Sequence, residues 1–151
     1  MLQPPNPKLI IKDDNPLLRE ISEPVTEFDD GLSGLIQDML VTMISNKGIG
    51  LSAIQIGVKQ RVILAYHEKT IYCMINPEFI RKLNRETVER EGCLSIPGVG
   101  RQVSRPAKCE LKWQDPDGNH HQGNFSGMLA RILQHEIDHL DGILITDKPY
   151  L

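Results

Sequence analysis

The sequence predicts an α+β fold in which antiparallel β-sheets pack around a central helix that carries the chemically active residues. Three observations predict it. A strongly periodic helix pattern lies in the first third, β-rich segments fill the middle, and a second amphipathic helix pattern lies near the end. That order suits a sheet packed against helices rather than alternating βαβ units. At 151 residues the chain is expected to form one domain, residues 1–151, with a real core.

The elements follow in order. "QPPNP" is an extended lead-in. The first helix is predicted from about Gly31 to Asn46. Leu32, Leu35, Ile36, Met39, Leu40, Met43 and Ile44 recur at i, i+3, i+4, i+7, and the glycines of "NKGIG" end it. "RVILAY" and "TIYCMIN" are apolar and β-rich, with the polar "HEK" between them as in a hairpin. "ETVEREGCLSI" and "KCELKWQD" read as further strands, and "DPDGN" as a turn. A last helix is expected from about Gly127 to Leu140, with Gly142 as a left-handed cap.

Composition excludes several classes. Hydrophobic residues make up 40% and charged residues 25%, as in ordinary globular proteins. A net charge of −3 gives no footprint for general nucleic-acid binding. No apolar run approaches the roughly 18–20 residues of a membrane span. The N-terminus lacks the basic and apolar regions of a secretory signal, so a cytoplasmic protein is expected. Three dispersed cysteines argue against a disulfide framework.

The last helix contains "QHEIDH", the H-E-x-x-H pattern. At about 100° per residue, Met128, Ile132, His135 and His139 share one narrow sector, with Glu136 at its border and Leu129, Leu133 and Leu140 beyond it. Both histidines are therefore expected on the buried side. Two imidazoles and a carboxylate on a buried face are costly unless something satisfies them, and a metal ion would. Zinc peptidases with this pattern take a third ligand downstream. The tail "LDGILITDKPYL" has no Glu or His, and Asp141 and Asp147 are its only carboxylates. A third ligand is thus expected upstream, among Cys73, Cys93, Cys109, His67, His120, His121 and the acids. Cys93 stands out in "EREGCLSIPG", where Gly92 permits close approach and "SIPG" is expected to turn the chain away. Cys73 and Cys109 read as buried inert thiols and His120 and His121 as solvated. A second glycine-rich stretch, "GIGLSAIQIG", lacks the Lys-Ser/Thr of a phosphate loop and suits a tight passage holding Gln55 against a site.

Taken together and in this order, "GIGLSAIQ", "EGCLS" and "QHEIDH" resemble the three signature motifs of peptide deformylases, and similarity extends through "NPLLREISEPV" and "MINPEF". The resemblance implies an enzyme that removes the N-formyl group from formyl-methionine at the start of nascent polypeptides. It implies that Cys93, His135 and His139 bind one divalent metal, iron(II) in the cell, with zinc, nickel or cobalt able to replace it in purified protein. It implies that Glu136 is the general base, and that the Gln55 side chain and the Leu94 backbone N–H are oxyanion donors. Glu91 resembles a carboxylate that braces the site, with Arg105 as its partner. Gly48, Ile49 and Gly50 would let an extended peptide pair with the backbone. The methionine pocket would be lined near Glu89, Met128, Arg131 and Ile132, with Glu89 and Arg131 expected to pair across its mouth. Ser52 stands where alanine is usual, and Arg101 is displaced by one from a relative's arginine. The chain reads as a short form without a C-terminal helix, so docking on the ribosome is not assumed. A monomer is expected, with no membrane or direct nucleic-acid contact. The rivals are an H-E-x-x-H metallopeptidase that cuts internal amide bonds, and a non-catalytic metal-binding or ribosome-associated module.

Overall fold

The computed structural model describes residues 3–151. Helix α1 spans Asp30–Ser45, followed by strand β1, Gly50–Ser52, and a single 3-10 turn, Ala53–Ile56. Strands β2 (Val62–His67), β3 (Thr70–Lys82), β4 (Glu86–Cys93), β5 (Ile96–Pro106), β6 (Lys108–Gln114) and β7 (His120–Ser126) precede helix α2, Gly127–Leu140. All strand pairs are antiparallel. One sheet has the order β1-β2-β3-β6-β7, and β4 and β5 form a separate hairpin.

Strand β2 explains the layering. Val62, Ile63, Leu64 and Ala65 are all buried, where a one-sided strand would alternate. Ile63 and Ala65 face α2, packing with Leu133, Ile137 and Leu140. Val62 and Leu64 face α1, packing with Met39, Met43 and Leu51. The sheet therefore lies between the two helices. A third cluster, of Leu18, Ile54, Ile96, Val103, Leu144 and Ile145, joins the β4–β5 hairpin to the rest.

Both helices end close to their predicted bounds, for identifiable reasons. The Asp29 side chain caps α1 by accepting from Leu32 N–H at 3.0 Å. The residue with positive φ after α1 is Lys47, at 56°, rather than a glycine. At Gly48 a Cβ would lie 2.7 Å from Leu94 Cδ1, so a larger residue there would have to displace the Leu94 side chain. Gly142 caps α2 as expected, with φ 73° and its N–H on the His139 carbonyl at 3.1 Å.

Two strands escaped the sequence pattern. The chain does not turn away through "SIPG": it reverses at Leu94–Ser95, and Ile96 pairs with Cys93 to open β5. His120 and His121 open β7 directly after the turn. Both are exposed, as expected of solvated residues, and His121 stacks on Trp113 while bonded to Asp115 at 2.7 Å.

Candidate active site

The site forms where the end of β4, the β1 passage and α2 meet. Cys93 is the last residue of β4, and the hairpin turn after it aims the thiol at α2. His135 and His139 are four apart on α2, with ring centroids 5.1 Å apart. The donor atoms of Cys93, His135 and His139 all lie within 4.8 Å of one another, and Cys93 Sγ is 3.4 Å from His139 Nε2. The other sequence candidates lie elsewhere. Asp141 pairs with Arg61, and Asp147 with Arg19. Burial pushes the Cys73 thiol up to about 12 and the Cys109 thiol up to about 11, and neither joins the cluster.

A divalent cation fits this donor set. One thiolate and two imidazoles, with no fourth ligand in the cluster among the described residues, match a catalytic rather than a closed structural site. His135 is prepared for it: Nδ1 lies 2.9 Å from Glu91 Oε1, which leaves Nε2 turned toward the other donors. His139 has no such brace: its buried Nδ1 has no partner among the described residues, and its ring is held by packing and by the Nε2 contact with Cys93 Sγ. In the metal-free protein, burial opposes charge on His135. Hydrogen bonds to Cys93 and Glu91 and the nearby Glu136 carboxylate outweigh that and raise its pKa to about 10. Metal binding must displace that proton, so uptake is coupled to pH.

The braces around Glu91 are dense. Arg105 donates through Nε to Oε2 at 2.6 Å and through Nη2 to Oε1 at 2.9 Å, the pair expected from the sequence. Asp138, which sequence reasoning passed over although it sits inside the histidine motif, holds Arg105 Nη1 at 2.8 Å. Arg131 corrects an expectation. It does not pair with Glu89, which is exposed; its Nη1 donates to Glu91 Oε2 at 2.6 Å. A guanidinium only 6% exposed needs acceptors that are buried with it, and a solvated carboxylate cannot supply them.

Glu136, next to His135 on α2, is 5% exposed. Ser52 Oγ is 3.1 Å from its Oε1 and 2.8 Å from its backbone oxygen. A Cβ on Gly50 would come within 2.4 Å of its Oε2, so only glycine leaves the carboxylate its place. Burial raises the Glu136 pKa to about 7 against the opposing effects of the His135 charge and the Ser52 hydrogen bond.

Gln55 is fixed by its own turn. Its Oε1 accepts from Ser52 N–H at 2.9 Å, which sends Nε2 toward Cys93 Sγ at 3.7 Å and Ser95 Oγ at 3.1 Å. Ser95, fully buried, is a residue the sequence reading missed; a hydroxyl two after Cys93 was its only signal. A cavity of about 650 Å³ opens over these groups, with Gly48, Ile49, Leu94, Met128, Arg131 and Ile132 in its wall. Met128 departs from the helix-wheel expectation: it is 51% exposed, because the first turn of α2 projects onto the cavity rim. Arg101 is structural here, donating to the Lys148 carbonyl at 2.9 Å and lying over the Tyr150 ring.

An open three-donor cluster beside a buried carboxylate defines a metal-dependent hydrolase. The comparisons say which kind. Residues 7–149 match the polypeptide deformylase family, and this chain belongs to that family. It is 42% identical to the peptide deformylase of Zymomonas mobilis, over 91% of this chain and 83% of the relative. It is 44% identical to that of Natranaerobius thermophilus, over 93% and 91%. The crystal structure of the Thermotoga maritima peptide deformylase superposes with a TM-score of 0.95 at 34% identity, covering 97% of this chain and 99% of that one. The Synechococcus elongatus peptide deformylase in complex with actinonin gives 0.93 at 36% identity, covering 100% and 83%. The chain is thus an enzyme of N-terminal processing, a metal-dependent hydrolase that removes the N-formyl group from nascent peptides. No helix among the described residues is long and apolar enough to cross a membrane.

Proposed function

We propose that Cys93, His135 and His139 hold the metal and that Glu136 handles the proton during deformylation. The observation that carries this is the convergence of the three donors beside one buried carboxylate. Bound there, a divalent ion supplies a Lewis acid that polarises the formyl carbonyl and acidifies water. Glu136, with a pKa raised toward neutrality, takes one proton from the attacking water and passes it to the leaving amine. Water adds to the formyl carbon, the C–N bond breaks, and the products are formate and a peptide with a free amine. Gln55 Nε2, held by the Ser52 N–H on its other end, and the Leu94 backbone N–H face the developing oxyanion. Glu91 and Arg105 keep His135 turned toward the metal.

Formyl-methionyl peptides are read as the substrate. Among the described residues strand β1 pairs only with β2, which leaves its outer edge for an extended peptide beside Gly48, Ile49 and Gly50. Met128 and Ile132 offer the cavity an apolar surface for the methionine side chain. Glu89 stands outside that role, since it is exposed and absent from the cavity wall. Family membership suggests iron(II) in the cell, and a donor set of one thiolate and two imidazoles also suits zinc, nickel or cobalt. The whole chain is read as one catalytic domain, a cytoplasmic monomer that acts on nascent chains. The test is a formate-release assay on formyl-methionyl peptides, with metal content measured on the same sample. Formate released in step with bound metal is expected. New internal peptide ends, or formate released by metal-free protein, would sink the proposal.

A further inference from the structure

Arg131 lies one turn before His135 on α2 and belongs to two environments at once. It is part of the cavity wall. It also reaches the carboxylate behind the metal-binding histidine. Its Nη1 donates to Glu91 Oε2 at 2.6 Å and to the Val103 carbonyl at 2.9 Å, and its Nη2 donates to the Thr87 carbonyl at 2.8 Å and approaches Thr87 Oγ1 at 3.1 Å.

The acceptor geometry of Glu91 shows what this contact adds. A carboxylate has about four lone-pair positions. Arg105 takes one on each oxygen, at 2.6 and 2.9 Å. His135 Nδ1 takes the second position on Oε1, at 2.9 Å. The second position on Oε2 goes to Arg131. With four donors on four positions, the carboxylate cannot rotate without breaking a charge-assisted bond. The Val103 and Thr87 contacts in turn fix the Arg131 head to both strands of the β4–β5 hairpin, the same hairpin that presents Cys93.

We propose that Arg131 is a positioning residue for the metal centre: from the wall of the substrate cavity it locks Glu91, and through Glu91 the His135 ring. This rests on the reading that Cys93, His135 and His139 hold the metal. The competing account is that Arg131 only packs α2 against the hairpin.

The experiment loads the full-length protein with nickel(II) or zinc(II) and follows metal release to an excess of chelator, with circular dichroism recorded on the same samples. Arg131→Leu is expected to release metal about 10-fold faster than wild type, the size usual for partners of metal ligands. Arg131→Lys, which keeps the charge without the fork, is expected to fall between the two, and it carries the test if Arg131→Leu does not fold. In a Glu91→Gln background the Arg131→Leu change is expected to add less than about 3-fold, because the two residues act through one contact. Wild-type release rates in folded Arg131→Leu and Arg131→Lys proteins overturn the proposal. So does an undiminished effect of Arg131→Leu in the Glu91→Gln background. A wild-type chain that takes up no metal overturns the ligand reading itself; a wild type that binds while the Arg131 variants release normally overturns this proposal alone.

Discussion

Glu91 and Glu136 are both buried near His135, 7% and 5% exposed, and the protein holds them in opposite states. Burial pushes both carboxyls up. At Glu91, hydrogen bonds from His135 and Arg105 and the Arg105 charge outweigh burial and hold the group well below the usual carboxylate range. At Glu136 a hydrogen bond from Ser52 and the His135 charge do not offset burial, and the group rises to about 7. Burial alone therefore does not assign a role to a carboxylate; its donors do. On the proposed reading, one glutamate is a permanent anion that orients a metal ligand, and the other is a base able to change state near neutral pH.

The comparison breaks most sharply at catalysis. Glu136→Gln is expected to lower kcat by about 10²–10⁴-fold with metal content unchanged. Glu91→Gln is expected to act on the metal instead, releasing it about 10–100-fold faster to a chelator. Formate release and metal analysis on both variants separate the two. Equal loss of metal from both would erase the distinction.

Stability should show the same opposition with pH. In the metal-free protein, folded Glu136 holds its proton more tightly than the ordinary glutamate value of 4.5 allows in the unfolded chain. Its contribution is full below pH 4.5 and is lost as pH rises toward 7. Glu91 runs the other way: its contribution is present above the ordinary value and is lost as pH falls. Glu136→Gln should therefore stabilise the metal-free protein above pH 7, by about 2–3 kcal/mol relative to its effect near pH 4. Urea unfolding at the two pH values measures this. An equal effect at both would mean that burial does not raise the Glu136 pKa.

How much of this was legible in the sequence depends on where the chemistry is written. Helix α2 was legible to the residue, because its apolar period and Gly142 agree. Strand β5 was not. Its inner face carries Arg101, Val103 and Arg105, so the alternation is present but is written partly in arginines. Strand β7, "HHQGNFS", has no aliphatic residue and is a strand by virtue of pairing with β6. The three donors and Glu136 could be located because their motifs are local. The partners of Glu91 come from α2 and β5, and only packing decides that Arg131 reaches Glu91 and not Glu89. Likewise the hydroxyl of Ser52 touches Glu136 across 84 positions of sequence, which no pattern foretells.

Glycine at position 50 supplies a steric version of the comparison. Gly50→Ala would place a methyl group where Glu136 Oε2 sits. A carboxylate displaced by about 1 Å is expected to lower kcat by about 10–100-fold. Metal release should stay at the wild-type rate. Accelerated release would show that the two glutamates are not independently held.

Ser52 gives the smallest effect and the finest test. Its single hydroxyl proton faces two acceptors, the Glu136 carboxylate at 3.1 Å and the Glu136 backbone oxygen at 2.8 Å. An ionised carboxylate is the stronger acceptor, so the proton should turn to Oε1 when Glu136 loses its own. When Glu136 is protonated, it can donate to Ser52 Oγ while the hydroxyl turns to the backbone. The hydroxyl thus favours the ionised base, the direction in which it acts on the Glu136 pKa. Ser52→Ala removes that preference, worth about 0.5–1.5 kcal/mol. The acid limb of kcat/KM is then expected to move up by about half a pH unit to one pH unit, with the plateau at higher pH unchanged. Activity at neutral pH falls a few-fold by this shift alone. An unmoved limb would place the hydroxyl proton permanently on the backbone oxygen and leave burial as the main control of the base.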